Sequence, residues 1–389
     1  MKQFLKDIAD ISAGQGAPQG DSNYCEDGIP FVKAGNLLEL TEGSSIYSIQ
    51  KVSEEVAKKH RLKLYKKGTI LFAKSGMSCL KGYVYVLPCD AYVVSHLACV
   101  TPNEDISEYL KYYFCYHKPN QLVKDAAYPS ISLSDIGCLE IDLKDATHRN
   151  AVVDSLQKLS SIVEMRKQQL TELDTLVKAR FVEMFGDPEN NPKKWPVKKL
   201  AAVVSSITAG WSVNGEARPR NAGEKAVLKV SAVTQGFFRP DEYKVISADM
   251  EIKKYVYPQK GDLLFSRANT RELVGATAVI EQDYPELLLP DKLWKVLFTN
   301  EMDVYYAKHI LSTQAIRKVF SSQSTGTSGS MFNVSTEKFR ETMIPVPPLM
   351  LQHEFANFVQ QTNKSKFIVQ KALDEAQTLF DSLMQQYFG

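Results

Sequence analysis

Two stretches of this sequence follow one plan, and each of them ends in a long segment typical of a helix. Four pairs of short segments carry the match, at offsets of 193 to 203 residues: Ser12-Ala13-Gly14 with Thr208-Ala209-Gly210, Phe31-Val32-Lys33 with Val227-Leu228-Lys229, Lys67–Phe72 with Lys260–Phe265, and Phe185-Gly186 with Phe388-Gly389. The changing offset indicates loops of different length between corresponding elements. A long unit that occurs twice predicts a duplicated domain rather than an array of short repeats.

Each copy divides into a strand-rich part and a helical part. Thr69–Ala73 and Tyr83–Leu87 have the short apolar or alternating pattern of strands. The apolar spacing predicts one helix around 105–117 and its counterpart near 303–320. We therefore expect an α+β fold with two strand-rich globular domains, at 1–147 and 187–347, followed by helices at 148–186 and 348–389.

The two long segments have the heptad spacing of a coiled coil. In the first, the apolar positions are Val152, Leu156, Leu159, Val163, Leu170, Leu173, Val177 and Met184, with Arg166 and Arg180 interrupting. In the second they are Phe355, Val359, Val369, Leu373, Ala376, Phe380, Leu383 and Tyr387, with Thr362 and Lys366 interrupting. Because each apolar seam needs a partner, the two helices are expected to pack antiparallel, which predicts internal two-fold pseudo-symmetry.

Composition narrows the class of protein. The chain has 389 residues, 44% of them apolar, and a net charge of +2, which argues neither for nor against nucleic acid. The six cysteines all lie in the first copy, so they are expected to be reduced thiols of a cytoplasmic protein. The N-terminus lacks the apolar core of a signal peptide, and no apolar run approaches the roughly 20 residues of a membrane span, so no membrane association is expected.

Arginine is unevenly distributed between the copies. Residues 1–147 contain one arginine, Arg61, whereas residues 187–347 contain seven. A helix of about 35 residues is roughly 50 Å long, and sites on one face of B-DNA recur about every 34 Å. A rigid helical spacer between two different reading domains therefore suits a split DNA site with an unread gap.

This layout resembles the specificity subunit of type I restriction–modification systems over essentially the whole chain. The resemblance is carried by the matched strands Lys67–Phe72 and Lys260–Phe265, the Ser/Gly loop before Phe332-Asn333-Val334-Ser335, the turn Met343–Pro348 and the first helix end Arg180–Pro188. One departure is that Glu140–Asp145 stands where the second copy has its proline-rich turn.

The resemblance implies a division of labour. Each globular half would be a target-recognition domain for one half of a bipartite site on double-stranded DNA. The helices would set the gap and dock two methyltransferase subunits, and two motor–nuclease subunits join in some complexes. S-adenosylmethionine would be used by the methyltransferase partners, so no cofactor is expected in this chain.

The sequence contains no motif of a catalytic subunit. There is no Asn/Asp-Pro-Pro-aromatic motif, no P-loop, no His-Glu-x-x-His and no Gly-x-Ser-x-Gly. The six histidines show no ligand spacing and no histidine counterpart in the other copy, so neither a catalytic nor a metal site is expected. One nuclease-like string, Asp241 with Glu251 and Lys253, leaves a self-contained nuclease as an alternative, and a scaffold that does not bind DNA is a second alternative.

Candidate DNA-binding residues lie where strands end. Arg and Lys can pair with guanine edges and Asn with adenine, whereas most protein–DNA hydrogen bonds go to the backbone. The candidates after matched strands are Lys33, Asn36, Lys74, Ser75, Lys229, Arg267, Asn269, Thr270 and Arg271. Arg218 and Arg220 lie in a segment expected to be a flexible loop, and Ser328 lies in the small polar segment 323–330.

Four apolar residues widen the stripe of the first helix beyond the seam: Ile162, Met165, Leu176 and Phe181. Such width exceeds what two helices need and predicts an interface with helices of a partner protein. The alternative is packing against the globular halves of the same chain.

Overall fold

The computed structural model describes residues 2–247, 249–323 and 332–389. Contacts divide the chain into two compact units: unit 1 comprises Met1–Lys167 and Lys371–Gly389, and unit 2 comprises Gln168–Gln370. Each unit therefore takes one part of both long helices. The predicted boundaries instead separate both helices from the globular domains. In the structure, one part of each helix packs on the globular part of unit 1 and the other part packs on that of unit 2.

Unit 1 is α+β. Its strands are β1 (Lys2–Phe4), β2 (Ala9–Ala13), β3 (Ile29–Val32), β4 (Lys51–Val52), β5 (Leu64–Tyr65), β6 (Ile70–Ala73), β7 (Val84–Val86), β8 (Ala91–Val93), β9 (Leu97–Pro102) and β10 (Glu140–Asp142). Its helices are α1 (Leu5–Ile8), α2 (Leu37–Thr41), α3 (Glu54–Lys59), α4 (Ser107–Tyr116), α5 (Leu133–Gly137) and the first part of α6 (Ala146–Phe185). Helix α4 lies within the predicted range 105–117.

Two four-stranded sheets form the body of unit 1. One is antiparallel, in the order β2-β9-β6-β7, and the other has the order β4-β3-β8-β5 with β3 and β8 parallel. Strands β1 and β10 pair separately. Helix α4 packs on the first sheet, where the rings of Phe114 and Phe72 lie 5.1 Å apart. The core continues onto the long helices through Val152, Leu156 and Phe388.

Unit 2 repeats the plan. Its strands are β11 (Val197–Lys199), β12 (Val204–Ala209), β13 (Ala226–Leu228), β14 (Tyr243–Val245), β15 (Leu263–Ser266), β16 (Ala268–Asn269), β17 (Thr277–Val279), β18 (Leu287–Leu288), β19 (Leu293–Phe298), β20 (Phe332–Asn333) and β21 (Met343–Pro345). Its helices are α7 (Leu200–Val203), α8 (Val304–Ser312), α9 (Gln314–Gln323), α10 (Thr336–Glu341), the second part of α6 and the first part of α11 (Leu349–Phe388).

The sheets of unit 2 correspond to those of unit 1. The antiparallel sheet β12-β19-β15-β17 matches β2-β9-β6-β7, and the sheet β14-β13-β18, with β13 and β18 parallel, matches part of the second sheet. The helix predicted near 303–320 is instead two helices, which is a correction. Thr313 between them is extended, with ψ near 150°, and its hydroxyl donates to the carbonyl of Ile310 at 2.7 Å, a local bond that competes with helix continuation.

Backbone hydrogen bonds reproduce the duplication in detail. Three pairs of equivalent N–H to C=O bonds occur, one in each unit: Gln15 to Val93 and Trp211 to Leu289, Gly68 to Leu87 and Gly261 to Ile280, and Leu5 to Leu139 and Leu200 to Thr342. Their lengths are 2.8 to 2.9 Å. The same bonds at the same register show that the two units fold by one plan.

The seam positions of α6 are the more protected ones. Val152, Leu156, Val163 and Val177 are buried, and the interrupting Arg180 is half-buried. Helix α6 ends at Phe185, and Gly186 follows with φ of +80°, the left-handed conformation that ends many helices.

The halves of α6 and α11 in unit 2 run antiparallel. Arg180 pairs with Glu354 at 2.9 Å, and Asp174 pairs with Lys366, so residue numbers rise along one helix as they fall along the other. In unit 1, the ring of His148 near the start of α6 lies 6.2 Å from that of Tyr387 near the end of α11. Across the described ranges, no helix combines the length and apolar character that crossing a bilayer requires.

Candidate nucleic-acid interface

The loop after β6 in unit 1 is fixed by two neighbouring segments. The N–H of Lys74 donates to the carbonyl of His96 at 2.9 Å, and the N–H of Ile131 donates to the carbonyl of Lys74 at 2.8 Å. The hydroxyl of Ser75 lies 2.8 Å from Nδ1 of His96. Ser75 also forms an antiparallel bridge with Ser130. Lys74, Ser75 and His96 therefore form one polar cluster.

The loop after β15 in unit 2 has the same backbone pattern. The N–H of Arg267 donates to the carbonyl of Lys292 at 3.0 Å, and that of Val334 donates to the carbonyl of Arg267 at 2.8 Å. The guanidinium of Arg267 donates to the carbonyl of Asp291 at 2.9 Å and lies 3.5 Å from its carboxylate. The loops are thus equivalent in backbone and different in side chains. We name the segments that begin at Lys74 and at Arg267 the strand-exit loops.

The comparison identifies two residues that the sequence analysis missed. His96 and Lys292 occupy equivalent positions beside Lys74 and Arg267, at the same offset of 196 that relates Gln15 to Trp211. His96 has no histidine counterpart in the other copy, because the equivalent residue, Lys292, is a lysine. The shared offset was the signal that could have found the pair.

The remaining candidates of the unit 2 loop lie just beyond Arg267. The side-chain oxygen of Asn269 accepts from the N–H of Thr270 at 2.8 Å, which orients the amide nitrogen away from that bond. Thr270 and Arg271 are exposed. Arg267, Asn269, Thr270 and Arg271 thus follow β15 within five residues, and Asn269 belongs to the short strand β16.

Lys33, Asn36 and Lys229 are held by their own units. Asn36 accepts from the N–H of Lys33 at 2.9 Å and donates to Glu39 at 2.8 Å, so its amide serves the local turn. The ammonium of Lys33 lies 2.6 Å from the side-chain oxygen of Gln50 and 4.4 Å from the ring centre of Tyr24. The ammonium of Lys229 lies 3.7 Å from Glu242. The two lysines are equivalent in sequence but have different partners.

The segment with Arg218 and Arg220, expected to be a flexible loop, carries ion pairs within unit 2. Arg218 makes two bonds of 2.8 Å to the carboxylate of Glu224, and Arg220 lies 2.6 Å from Glu286. The hydrogen bonds from Arg218 lower the pKa of Glu224 to about 2. Neutralisation by carboxylates reduces the attraction of both arginines for phosphate. Ser328, the last candidate, lies outside the described residues.

The predicted partner face is only partly exposed. Ile162, Met165 and Leu176 are exposed on α6. Phe181 is not, and its assignment to a partner interface is wrong: it is 4% exposed, with its ring 5.7 Å from Tyr306 and 5.4 Å from Phe355 in the core of unit 2. Packing against the same chain, the alternative considered for this stripe, applies to Phe181.

Four exposed apolar residues of α11 were missed, and the first of them is Met350, which is 78% exposed. Phe367 and Ile368 are about 70% exposed and Leu379 is half-exposed. They lie off the heptad seam of α11. Residues beyond the seam were predicted as a partner interface only for α6.

The nuclease-like string has no assembled site. Asp241 pairs with Arg239 at 3.1 Å, and the ammonium of Lys253 lies 5.8 Å from the ring centre of Trp211. Glu251 is exposed. Within the part of the chain that the structure describes, no group of three His, Cys, Asp or Glu side chains could hold a metal ion.

Two units of one plan, each presenting a braced polar loop, define a duplicated recognition protein. The model of the family described as "Type I restriction modification DNA specificity domain" matches this chain twice, over residues 1–175 and 192–376. The chain belongs to this family, which confirms the resemblance stated from the sequence.

Curated relatives agree with this membership. The chain is 24% identical over 220 residues to the type I restriction enzyme EcoEI specificity subunit of Escherichia coli, a match covering 55% of this chain and 37% of that protein. It is 32% identical over 139 residues to the MjaIX specificity subunit of Methanocaldococcus jannaschii, covering 34% and 31%. The matches thus span about a third of the length of each relative. Both relatives are specificity subunits rather than catalytic subunits.

Solved structures show the same fold over the full chain. The S subunit of a type I restriction–modification system from M. genitalium matches with a TM-score of 0.62 at 14% identity, covering 100% of this chain and 96% of that one. A chain from a study of complex assembly and conformational transition of the type I R-M system matches with a TM-score of 0.56 at 16% identity, covering 100% and 97%.

Proposed function

We propose that this chain is the non-catalytic specificity subunit of a type I restriction–modification complex and reads a bipartite site on double-stranded DNA, one half-site per unit. The observation that carries the proposal is the pair of strand-exit loops. They share backbone hydrogen bonds around Lys74 and Arg267 but present different side chains. Two domains that bind different half-sites need the same backbone arrangement with different contacting side chains.

The side chains of the loops suit contacts with base edges and phosphates. Arginine and lysine donate to guanine O6 and N7, and asparagine can pair with adenine. In unit 2 these groups are Arg267, Asn269 and Arg271, with Lys292 beside them. In unit 1 they are Lys74 and Ser75, with His96. Because Arg267 is already held by Asp291, we expect it to be preorganised rather than freely mobile.

The long helices are proposed to set the gap between the half-sites as an antiparallel coiled coil. Each is a single helix of 40 residues, which corresponds to about 60 Å. The heptad seam and the ion pair of Arg180 with Glu354 support the pairing. The internal two-fold pseudo-symmetry predicted from the duplicated sequence belongs to the same proposal.

The exposed apolar residues of the helices are proposed to dock two methyltransferase subunits. Ile162, Met165, Leu176, Phe367 and Leu379 are each at least 37% exposed, and apolar side chains on an otherwise polar helix are typical of helix–helix docking. S-adenosylmethionine would be bound by those subunits. Complexes that also cleave DNA would contain two motor–nuclease subunits.

The decisive experiment is adenine-methylation mapping of genomic DNA from cells with this chain and its methyltransferase, compared with cells that lack the chain. We expect a new split motif, with two short half-sites around a fixed gap. Absence of a new motif, with the complex shown to be assembled, would refute the proposal.

Two further measurements separate the alternatives. Phosphate contacts make DNA affinity fall steeply with salt, so salt-independent or absent DNA binding by the complex would favour the scaffold. Replacing Glu251 with Gln should leave the activity of the assembled complex unchanged. A loss of DNA cleavage in that variant would favour the self-contained nuclease.

A further inference from the structure

Two large apolar side chains are exposed at the strand-exit loop of unit 1. Met77 is 69% exposed and Tyr128 is 81% exposed. The N–H of Gly76 donates to the carbonyl of Pro129 at 3.0 Å, next to the antiparallel bridge of Ser75 with Ser130. Met77 and Tyr128 are the next residues on these two opposed segments, which brings their backbones close together. We name this pair the Met77–Tyr128 tip.

The tip directly follows the polar cluster of the same loop. Lys74 and Ser75 precede Met77 by three and two residues, and His96 contacts Ser75 at 2.8 Å. No carboxylate among the described residues pairs with Lys74 in a salt bridge, whereas Arg218, Arg220 and Arg267 of unit 2 all have acidic partners. An unneutralised cation next to an apolar tip matches a ligand with a phosphate backbone and apolar base surfaces.

Unit 2 differs at the equivalent position. The offset of 193 that relates Lys74 to Arg267 places Thr270 where unit 1 has Met77, and Arg271 follows it. Thr270 and Arg271 are exposed polar residues. The residue at the Met77 position is therefore apolar in unit 1 and polar in unit 2, whereas the offset of 203 that relates Ile131 to Val334 places Met331, outside the described residues, where unit 1 has Tyr128.

We propose that unit 1 reads its half-site partly through an apolar contact between the Met77–Tyr128 tip and the bases, whereas unit 2 presents the polar Thr270 at the position of Met77. The inference rests on the proposed function, since it names the contact chemistry of one DNA-reading loop. The apolar surface of DNA is available from two sources: the C5-methyl group of thymine in the major groove, and the face of an unstacked base.

The test uses the complete complex with its methyltransferase and a duplex that carries the methylated motif. The variant M77S/Y128S should bind this duplex about tenfold more weakly, while its affinity for scrambled DNA and its salt dependence stay unchanged, because no charge is removed. The matched control is Y47S, since Tyr47 is a tyrosine of unit 1 with 62% exposure that lies on a different segment. Y47S should bind as the wild type does.

The outcomes distinguish the inference from the proposed function. If the wild-type complex prefers its motif and M77S/Y128S binds equally well, the inference is overturned and the proposed function stands. If the wild-type complex shows no preference for any motif, both are overturned. Because both side chains are exposed, the variant should unfold at the wild-type temperature, and a fold defect would not explain weaker binding.

Two modified duplexes identify the source of the apolar surface. Replacing thymine by uracil in the half-site of unit 1 removes the methyl group, and an affinity loss that is absent in M77S/Y128S supports a methyl contact. A rise in 2-aminopurine fluorescence on binding that is absent in the variant supports an unstacked base. If neither response occurs, an apolar base contact is refuted, even where the variant binds more weakly.

Discussion

Replacing Phe181 with Ala tests whether this residue of α6 belongs to the core of unit 2 or to a partner interface. Its side chain is 4% exposed, and its ring centre lies 5.1 Å from that of Phe185, 5.4 Å from Phe355 and 5.7 Å from Tyr306. Truncating a buried phenylalanine costs about 3–5 kcal/mol, through lost burial and the cavity that remains. With three aromatic neighbours that cannot easily close the cavity, we expect about 4 kcal/mol.

Urea unfolding followed by tryptophan fluorescence measures this loss in the free energy of unfolding of unit 2. The three tryptophans, Trp195, Trp211 and Trp294, all lie in unit 2, so the signal reports its unfolding. With a urea dependence of about 2–3 kcal/mol per molar, F181A should lower the midpoint by about 1.5 M.

The matched control makes the same substitution at an exposed position. Phe367 on α11 also belongs to unit 2 and is 72% exposed, so F367A should change the free energy of unfolding by less than about 0.5 kcal/mol. Instead, F367A should weaken binding of the methyltransferase partner. A wild-type midpoint for F181A, or an equal loss in both variants, would refute the assignment of Phe181 to the core.

Three further predictions test the packing, the electrostatics and the proposed spacer. Gly14→Ala should destabilise unit 1 by about 1–3 kcal/mol in thermal unfolding, because the added methyl would overlap the carbonyl oxygen of Val93, whereas Gly35→Ala has open space around it; equal melting of both variants would contradict this. Burial lowers the pKa of His309 from 6.5 to about 3, so the unfolded chain takes up its proton first as the pH falls, and unit 2 should lose up to about 2 kcal/mol between pH 7 and pH 5. His309→Gln should abolish that loss in urea unfolding, and an unchanged pH dependence would count against a half-buried neutral imidazole. Deleting one heptad within 152–184 should change the gap found by methylation mapping and leave both half-sites as they were; altered half-sites would contradict the spacer.

Local sequence signals were sufficient for the long helices and for the duplication. Helix α6 begins at Ala146 and ends at Phe185, close to the predicted 148–186, because heptad spacing and the glycine after the last turn act within a few residues. The strands after Lys67 and Lys260 were found for a similar reason, since short apolar runs after a turn are local patterns.

Side-chain partners could not be read in the same way. The carboxylate of Glu286 that neutralises Arg220 lies 66 positions further along the chain, and Tyr306, beside Phe181, lies 125 positions further along. The break at Thr313 was also missed, because the apolar spacing continues across it while the backbone of Thr313 is extended.

The sequence by itself therefore determined that this protein has two copies of one α+β plan, that each copy ends in a heptad helix, and that the family is that of type I DNA specificity domains. The duplication and the helices follow from periodicity and order along the chain, whereas the family was indicated by the resemblance to known specificity subunits. Only the tertiary structure decided which cations are neutralised and which apolar residues are covered. The physical reason is that charge pairing and burial depend on distances between residues remote in sequence, which the folded backbone alone sets.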